Sequence, residues 1–263
     1  ICVPTPFYKD TNPPSPNIEL VLSAAKEISK LLKPDDIVIL ESTSPVGTTK
    51  KIADLFASEG ININEINLAY CPERVLPGNI MNELIENDRI IGGHSPSCSK
   101  TVSKFYKTFV SGNIFETDDK TAEMCKLTEN SFRDVNIAFA NELSMLCDKA
   151  DIDVWKLISL ANMHPRVNIL KPGTGVGGHC IAVDPWFIVS SDQDNSKLIR
   201  SAREINNQKT SWVIDKIKLI INDYLENHKE NPKIAYLGIS FKPNIDDLRE
   251  SPALFIVDNL VSQ

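Results

Sequence analysis

The 263-residue sequence has no apolar run long enough to cross a bilayer: residues 37–40 and 217–221, the latter broken by Lys218, fall far short of the ~20 residues a membrane helix needs. It has no basic block either. Its 28 Lys and Arg stand against 35 Asp and Glu, a net charge of −7, which argues against nucleic acid as a partner. There is no C-x-x-C pair, and no His sits at metal-ligand spacing from the six scattered cysteines, Cys2, Cys71, Cys98, Cys125, Cys147 and Cys180. Zinc is therefore not expected, and the pattern reads as reduced thiols in a cytoplasmic protein with no metal. Low complexity is absent as well, since 42% hydrophobic and 24% charged residues is ordinary globular usage. The opening Ile1-Cys2-Val3-Pro4 has neither an initiator Met nor the build of a signal peptide. It reads as the end of a buried strand entering a loop, so a piece of a longer chain is expected.

What is present is an alternation. Apolar residues at helical spacing over 17–33 (Ile18, Val21, Leu22, Ala25, Ile28, Leu32) precede Pro34 and the apolar run 37–40, a helix feeding a buried strand. A helix over 48–58, strands over 67–71 and 89–91, a helix over 98–110 and a strand over 114–116 continue it. Strands alternating with helices imply a parallel sheet covered on both faces. From Lys120 the pattern changes. Residues 121–150 contain no Gly or Pro and read as one long helix, with an apolar stripe of Met124, Leu127, Phe132, Val135, Phe139, Leu143 and Leu146. Such a helix suits a spine between domains or a dimer contact. A second helix over 154–163, a glycine-rich loop over 171–178, a helix over 197–225, a strand over 233–239 and a helix opened by Ser251 as cap and Pro252 at its first position complete the chain.

Gly173, Gly175 and Gly178 satisfy G-x-G-x-x-G, the dinucleotide fingerprint, but that fingerprint needs a strand before it and a helix opening within it. Here Lys171-Pro172 precede it and His179-Cys180 follow. The context fits a loop whose missing side chains let backbone N–H groups approach a ligand and which presents Cys180; a flexible linker is the alternative. A thiol placed by such a loop is a candidate nucleophile. The other five cysteines lie in strand or helix patterns and read as small buried apolar residues. His179 invites a Cys–His dyad, but adjacent side chains on a loop diverge.

Residues 173–185 (GTGVGGHCIAVDP) resemble the catalytic-cysteine loop of the UDP-glucose and GDP-mannose 6-dehydrogenase family. Five further runs agree in the same order: Val3-Pro4-Thr5-Pro6, residues 41–49 (ESTSPVGTT), 72–78 (PERVLPG), 126–130 (KLTEN) and 241–252 (FKPNIDDLRESP). Residues 72–78, with 87–93 and 164–168, look most like the branch acting on UDP-N-acetyl-D-mannosamine. The resemblance implies an α/β fold: the remainder of a Rossmann-type parallel-sheet domain binding NAD over 1–118, a central long-helix dimerisation domain with the cysteine loop over 119–225, and the start of a second α/β domain, binding the UDP-sugar, over 232–263. It also implies that the family's own glycine-rich NAD loop precedes Ile1 and most of the third domain follows Gln263, so the isolated chain is expected to be inactive.

The implied activity is oxidation of a sugar C6 alcohol to a carboxylate by two hydride transfers to NAD, in a homodimer. By position, Cys180 matches the nucleophile that holds the aldehyde as a thiohemiacetal and then a thioester, and Asp184 the carboxylate that positions water or manages protons. Lys126 and Asn130, spaced i and i+4 on one helix face, match the pair that holds the C6 oxygen or a bridging water. Glu73 matches the acid that activates the hydrolytic water, and Thr5 and Thr43 fall in the cofactor site. Lys171, Gly175, Gly177 and Gly178 resemble the diphosphate and uridine cradle, Lys242 a further sugar-nucleotide contact, Arg249 a reach to NAD, and Arg166 an approach to the sugar from the partner subunit. Where UDP-glucose enzymes carry a second acid, this sequence has Pro77, a departure favouring the N-acetylhexosamine branch. UDP-glucose or UDP-N-acetylglucosamine as the sugar, or a shortened non-catalytic chain that binds nucleotide sugars or dimerises, stay open as alternatives.

Overall fold

The computed structural model describes residues 1–75 and 78–261 and separates into two compact units, residues 1–129 with 186–191 and residues 130–185 with 192 onward. Pro77 lies outside the described residues.

The first unit opens with a short antiparallel pair, β1 (Phe7–Tyr8) and β2 (Ser15–Pro16), then alternates α1 (Glu19–Ser29), β3 (Ile37–Leu40), α2 (Thr48–Ser58), β4 (Asn67–Tyr70), α3 (Ile80–Glu86), β5 (Arg89–Gly93), α4 (Pro96–Tyr106) and β6 (Ile114–Asp118). Successive strand residues point to opposite faces, and both faces are covered. Leu68 and Tyr70 of β4 pack with Val38, Leu40, Val21 of α1 and Phe56 of α2, whereas Ala69 packs with Ile91 and with Val102 and Tyr106 of α4. Each large apolar side chain so buried contributes roughly 1.5–3 kcal/mol. Ile1 lies alongside β3, donating to Ile39 O at 2.5 Å and accepting from Glu41 N at 3.1 Å.

The sheet order is β3-β4-β5-β6. β3 and β4 are parallel, and so are β5 and β6, as the alternation predicts; β4 and β5, however, pair antiparallel through Ala69 with Gly93 and Tyr70 with Gly92. The reason lies in the connection. A parallel crossover needs a helix that packs back onto the sheet, and α3 has 7 residues of which none is buried. β5 therefore enters from the opposite direction and the sheet is mixed.

The long helix α5 (Asp119–Lys149) spans 31 residues, and its first turns belong to the first unit. α2 starts after Gly47, at φ 91°, without a capping side chain of its own. Glu123 of α5 supplies the cap: its carboxylate accepts from Gly47 N at 2.5 Å and from Thr49 N and Oγ1 at 2.7 Å each. Negative charge at a helix N-terminus is electrostatically favoured.

The second unit holds the rest of α5, α6 (Val154–Ala161), the glycine-rich loop, the start of α7 (Asp184–Ser191), α8 (Lys197–Asn227) and α9 (Pro252–Val261). Asp153 caps α6 by accepting from Trp155 N at 2.9 Å, and Ser251 caps α9 by accepting from Leu254 N at 3.3 Å. Residues 233–239, expected as a strand, form none; an extended segment becomes a strand only when a neighbour receives its backbone hydrogen bonds, and among the described residues none does. In this unit Phe132, Phe139 and Leu146 of the α5 stripe are exposed and Val135 and Leu143 half-buried, while Asp134, Ala138, Asn141 and Ser144 form the buried face; Leu127, in the first turns, is buried. Among the described residues no helix is long and apolar enough to cross a membrane.

Candidate functional site

The cysteine loop is built in the second unit. At its start Gly173 N donates to Asn141 Oδ1 of α5 at 2.8 Å, and Thr210 Oγ1 of α8 donates to Thr174 O at 2.9 Å. Further on, Gly178 N donates to Arg249 O at 2.9 Å. Gly175 and Gly178 sit at φ +140° and +86°, which side chains disfavour. A Cβ at Gly175 would stand 2.3 Å from Thr210 Oγ1, one at Gly177 would stand 2.6 Å from Phe241 Cβ, and one at Gly178 2.9 Å from the Phe241 ring. The glycines are thus demanded by close packing against the chain itself, a tighter reason than the ligand approach read from the sequence. This is an anchored loop, not a linker.

Cys180 follows, half-buried. Val183 N and Asp184 N both donate to its carbonyl, at 3.0 and 2.8 Å, so the chain turns at once and brings Asp184 to the first position of α7. Asp184 is buried, and its Oδ2 accepts from Nδ2 of the buried Asn130 at 2.6 Å. One turn of chain and one amide therefore bring Cys180, Asp184 and Asn130 together.

The first unit gathers a second group. Because β3 and β4 are parallel, the loops that follow them leave the sheet at the same edge; Thr43 lies in one and Glu73 in the other. At such a carboxyl edge open α/β sheets bind their ligands. Thr5 Oγ1 donates to Thr43 O at 2.6 Å, Ser42 Oγ donates to Val3 O at 2.8 Å, and Glu73 N donates to Glu41 O at 3.4 Å. Lys126 Nζ, on a buried side chain, donates to the backbone carbonyl of Glu73 at 2.7 Å, while the exposed Glu73 carboxylate accepts from Val75 N. Within the first unit, Glu123 and Lys126 thus lie one turn apart on α5 and fix the start of α2 and the loop after β4.

The remaining residues singled out from the sequence lie on separate segments. Arg166 is exposed on a loop closed by Asn162, which donates to Ile169 O at 3.0 Å and accepts from Ile169 N at 2.7 Å. Lys171 is exposed, and Lys242 is half-buried with its ammonium 6.0 Å from the Phe241 ring centre. Arg249 is held in its own loop: Nε reaches Asp247 Oδ1 at 2.9 Å and Nη2 reaches Oδ2 at 2.6 Å. That guanidinium holds the Asp247 carboxyl down at about 2. His179 is exposed, with Nδ1 3.8 Å from Asp247 Oδ2. Of the other cysteines, Cys71, Cys98 and Cys147 are buried as expected, and burial pushes the Cys71 thiol up to about 11. Cys125 is half-buried, and Cys2 is exposed against expectation: its Sγ donates to the Glu41 carboxylate at 3.1 Å, a polar partner in place of apolar packing.

Sequence reasoning missed Glu123, Asn141, Thr210 and the ion pair of Asp134 with Arg203, at 2.6 Å. The signal was there, as polar residues at helical spacing on the faces of α5 and α8 that turn inward; a search for apolar stripes passes over it.

Two models of the UDP-glucose/GDP-mannose dehydrogenase family match the chain, the NAD binding domain over residues 1–110 and the central domain over residues 120–208. A UDP-N-acetyl-D-mannosamine dehydrogenase of Campylobacter jejuni is 56% identical over 272 residues, covering 100% of this chain and 65% of the relative. An NDP-N-acetyl-D-galactosaminuronic acid dehydrogenase of Ralstonia nicotianae is 53% identical over 272 residues, covering 100% of this chain and 62% of the relative. The solved structure of a UDP-D-ManNAc dehydrogenase from Pyrococcus horikoshii matches with a TM-score of 0.88 and 40% identity, over 100% of this chain and 62% of that one. The chain spans less than two thirds of the length of these relatives. Six ordered motifs, two adjoining domain models and a matching fold lead to one conclusion: the chain belongs to the UDP-glucose/GDP-mannose dehydrogenase family.

Proposed function

We propose that this chain carries the nucleophile of an NAD-dependent, four-electron oxidation that converts the C6 hydroxymethyl of UDP-N-acetyl-D-mannosamine to the carboxylate of UDP-N-acetyl-D-mannosaminuronate. The observation that supports it best is the half-buried Cys180 thiol whose own turn delivers Asp184, a buried carboxyl bound by Asn130. Residues 1–118 then serve the cofactor, 119–225 the chemistry and dimerisation, and 232–263 the start of the UDP-sugar domain.

The donors at the sheet edge fit the cofactor, since Thr5 and Thr43 are half-buried and hydrogen-bonded to each other in loops at the carboxyl end of β3. NAD, when bound, accepts the hydride in each of the two oxidations. The chain's residues do the rest. Asn130 and Lys126, both donors, hold the C6 oxygen and oppose the negative charge that develops on it in each tetrahedral state. Cys180 Sγ adds to the C6 aldehyde and its proton passes to a carboxylate; loss of the second hydride leaves a thioester. Water activated by Glu73 or Asp184 adds to the thioester carbonyl, the C–S bond breaks, and the carboxylate leaves with the thiol restored. Holding the aldehyde on sulfur prevents its escape between the two oxidations.

The partners in this reading are the UDP-sugar and a second copy of the chain, in a homodimer through α5, whose exposed Phe132, Phe139 and Leu146 recur every seven residues. The sugar is tested by expressing the whole reading frame that contains this chain and comparing kcat/KM across UDP-N-acetyl-D-mannosamine, UDP-glucose and UDP-N-acetylglucosamine. Preference for the first supports the reading; preference for another moves the specificity and keeps the mechanism; no turnover of any favours a binding-only protein.

A further inference from the structure

The loop leading to Cys180 is held by a buried polar seam with a built-in direction. Arg203, 2% exposed, donates to Asp134 Oδ1 at 2.6 Å, and Asn206 Nδ2 donates to the same oxygen at 2.8 Å. A guanidinium only donates, so Asp134 Oδ1 is an acceptor and the amide nitrogen of Asn206 must face it. That leaves the Asn206 oxygen for Asn141, whose Nδ2 donates to it at 2.8 Å. The Asn141 oxygen is then left to accept from Gly173 N at 2.8 Å. One helical turn on from Asn206, Thr210 Oγ1 donates to Thr174 O at 2.9 Å. Asn141 and Asn206 are both fully buried, and burying amides where an apolar pair would pack is costly unless each is satisfied and its geometry is used.

We infer that Asn141 and Thr210 are positioning residues for Cys180: with Asn206 and the Asp134–Arg203 pair behind them, they fix the start of the loop so that the thiol is delivered in one place. Neither touches the reacting atoms. This rests on the reading of Cys180 as the nucleophile. The spacing serves it, since Asp134 and Asn141 lie two turns apart on α5, and Arg203, Asn206 and Thr210 share one face of α8.

The test compares Asn141→Leu and Thr210→Val with Ser144→Ala in the protein expressed from its whole reading frame. Ser144 lies in the same seam, donates to the Asn141 carbonyl at 2.6 Å and accepts from Lys209 Nζ at 2.8 Å; among the described residues its hydroxyl makes no hydrogen bond to the loop. The rate of Cys180 alkylation by iodoacetamide, followed by mass spectrometry of its peptide, is read at a temperature where all variants are folded, beside kcat and KM. The inference predicts about a tenfold or larger change in Cys180 alkylation for Asn141→Leu and Thr210→Val, and a fall in kcat approaching 10²-fold for a thiol misplaced by ~1 Å, with Ser144→Ala close to the parent in both. If Asn141→Leu does not fold, Thr210→Val alone carries the comparison. Alkylation rates that match the parent, or that shift equally in Ser144→Ala in step with lost stability, would overturn it. Alkylation needs no sugar, so absence of turnover would count against the proposed substrate and not against this positioning.

Discussion

Asn130 Nδ2 donates to Asp184 Oδ2 at 2.6 Å, joining the long helix α5 to the carboxyl that the Cys180 turn delivers. The amide is neutral and donates, so it can favour the ionised carboxylate without adding a charge.

Asn130→Asp replaces that donor by a second carboxyl at hydrogen-bond distance from the first. Two like charges so close cannot both ionise at ordinary pH, so one proton is retained to higher pH than in the parent. The acid limb of the kcat–pH profile is expected to move to higher pH in Asn130→Asp, and by less in Asn130→Ala, which removes the donor without adding a charge. An unshifted limb in Asn130→Asp would show that Asp184 need not ionise for turnover.

Cys180→Ser keeps shape and hydrogen-bonding capacity but replaces the thiolate by a far weaker nucleophile. Uronate formation is expected to be lost while binding of the UDP-sugar, measured by calorimetry, changes little. Uronate formed at the parental rate would remove the covalent scheme.

Glu123→Ala takes away the acceptor for Gly47 N, Thr49 N and Thr49 Oγ1 and is expected to destabilise by about 2 kcal/mol, read from urea unfolding. The pH dependence has a definite sign. Burial raises the Glu123 carboxyl above 4.5 in the folded protein, so there the folded state holds more protons than the unfolded chain, and this group's contribution is present at low pH and lost as pH rises through the folded value. Glu123→Gln, which cannot titrate, should lack that decline.

Lys209 gives the opposite behaviour at alkaline pH. Burial lowers its ammonium from 10.5 to about 8, so between those values the unfolded chain binds more protons and stability rises with pH. Lys209→Met should show a smaller rise when urea midpoints are compared on either side of 8.

Much of this architecture is legible in the sequence where punctuation and periodicity agree. β3 and α2 fall at the expected bounds because Pro34, Gly47 and Gly60 bracket strong patterns. α3 has no buried residue and so no stripe to read, and α7 is apolar on too many sides to show one. The antiparallel β4–β5 pair depends on where the chain travels between strands, which no local pattern encodes. On α5 Leu127 is buried as its stripe suggests, but Phe132, Phe139 and Leu146 of that stripe face outward while Asp134 and Asn141 face inward, because α8 answers them with Arg203 and Asn206. The cysteine motif located Cys180 and Asp184, and the run 126–130 located Lys126 and Asn130, while Asn141, Thr210 and Glu123, which fix the segments around them, belong to no motif and emerge only from packing.

The most direct test of the account is stoichiometric: NADH formed per UDP-N-acetyl-D-mannosamine consumed by the protein expressed from its whole reading frame. A ratio of two, with the uronate as product, is expected if Cys180 holds the intermediate through both oxidations. A ratio of one with free aldehyde released would contradict it.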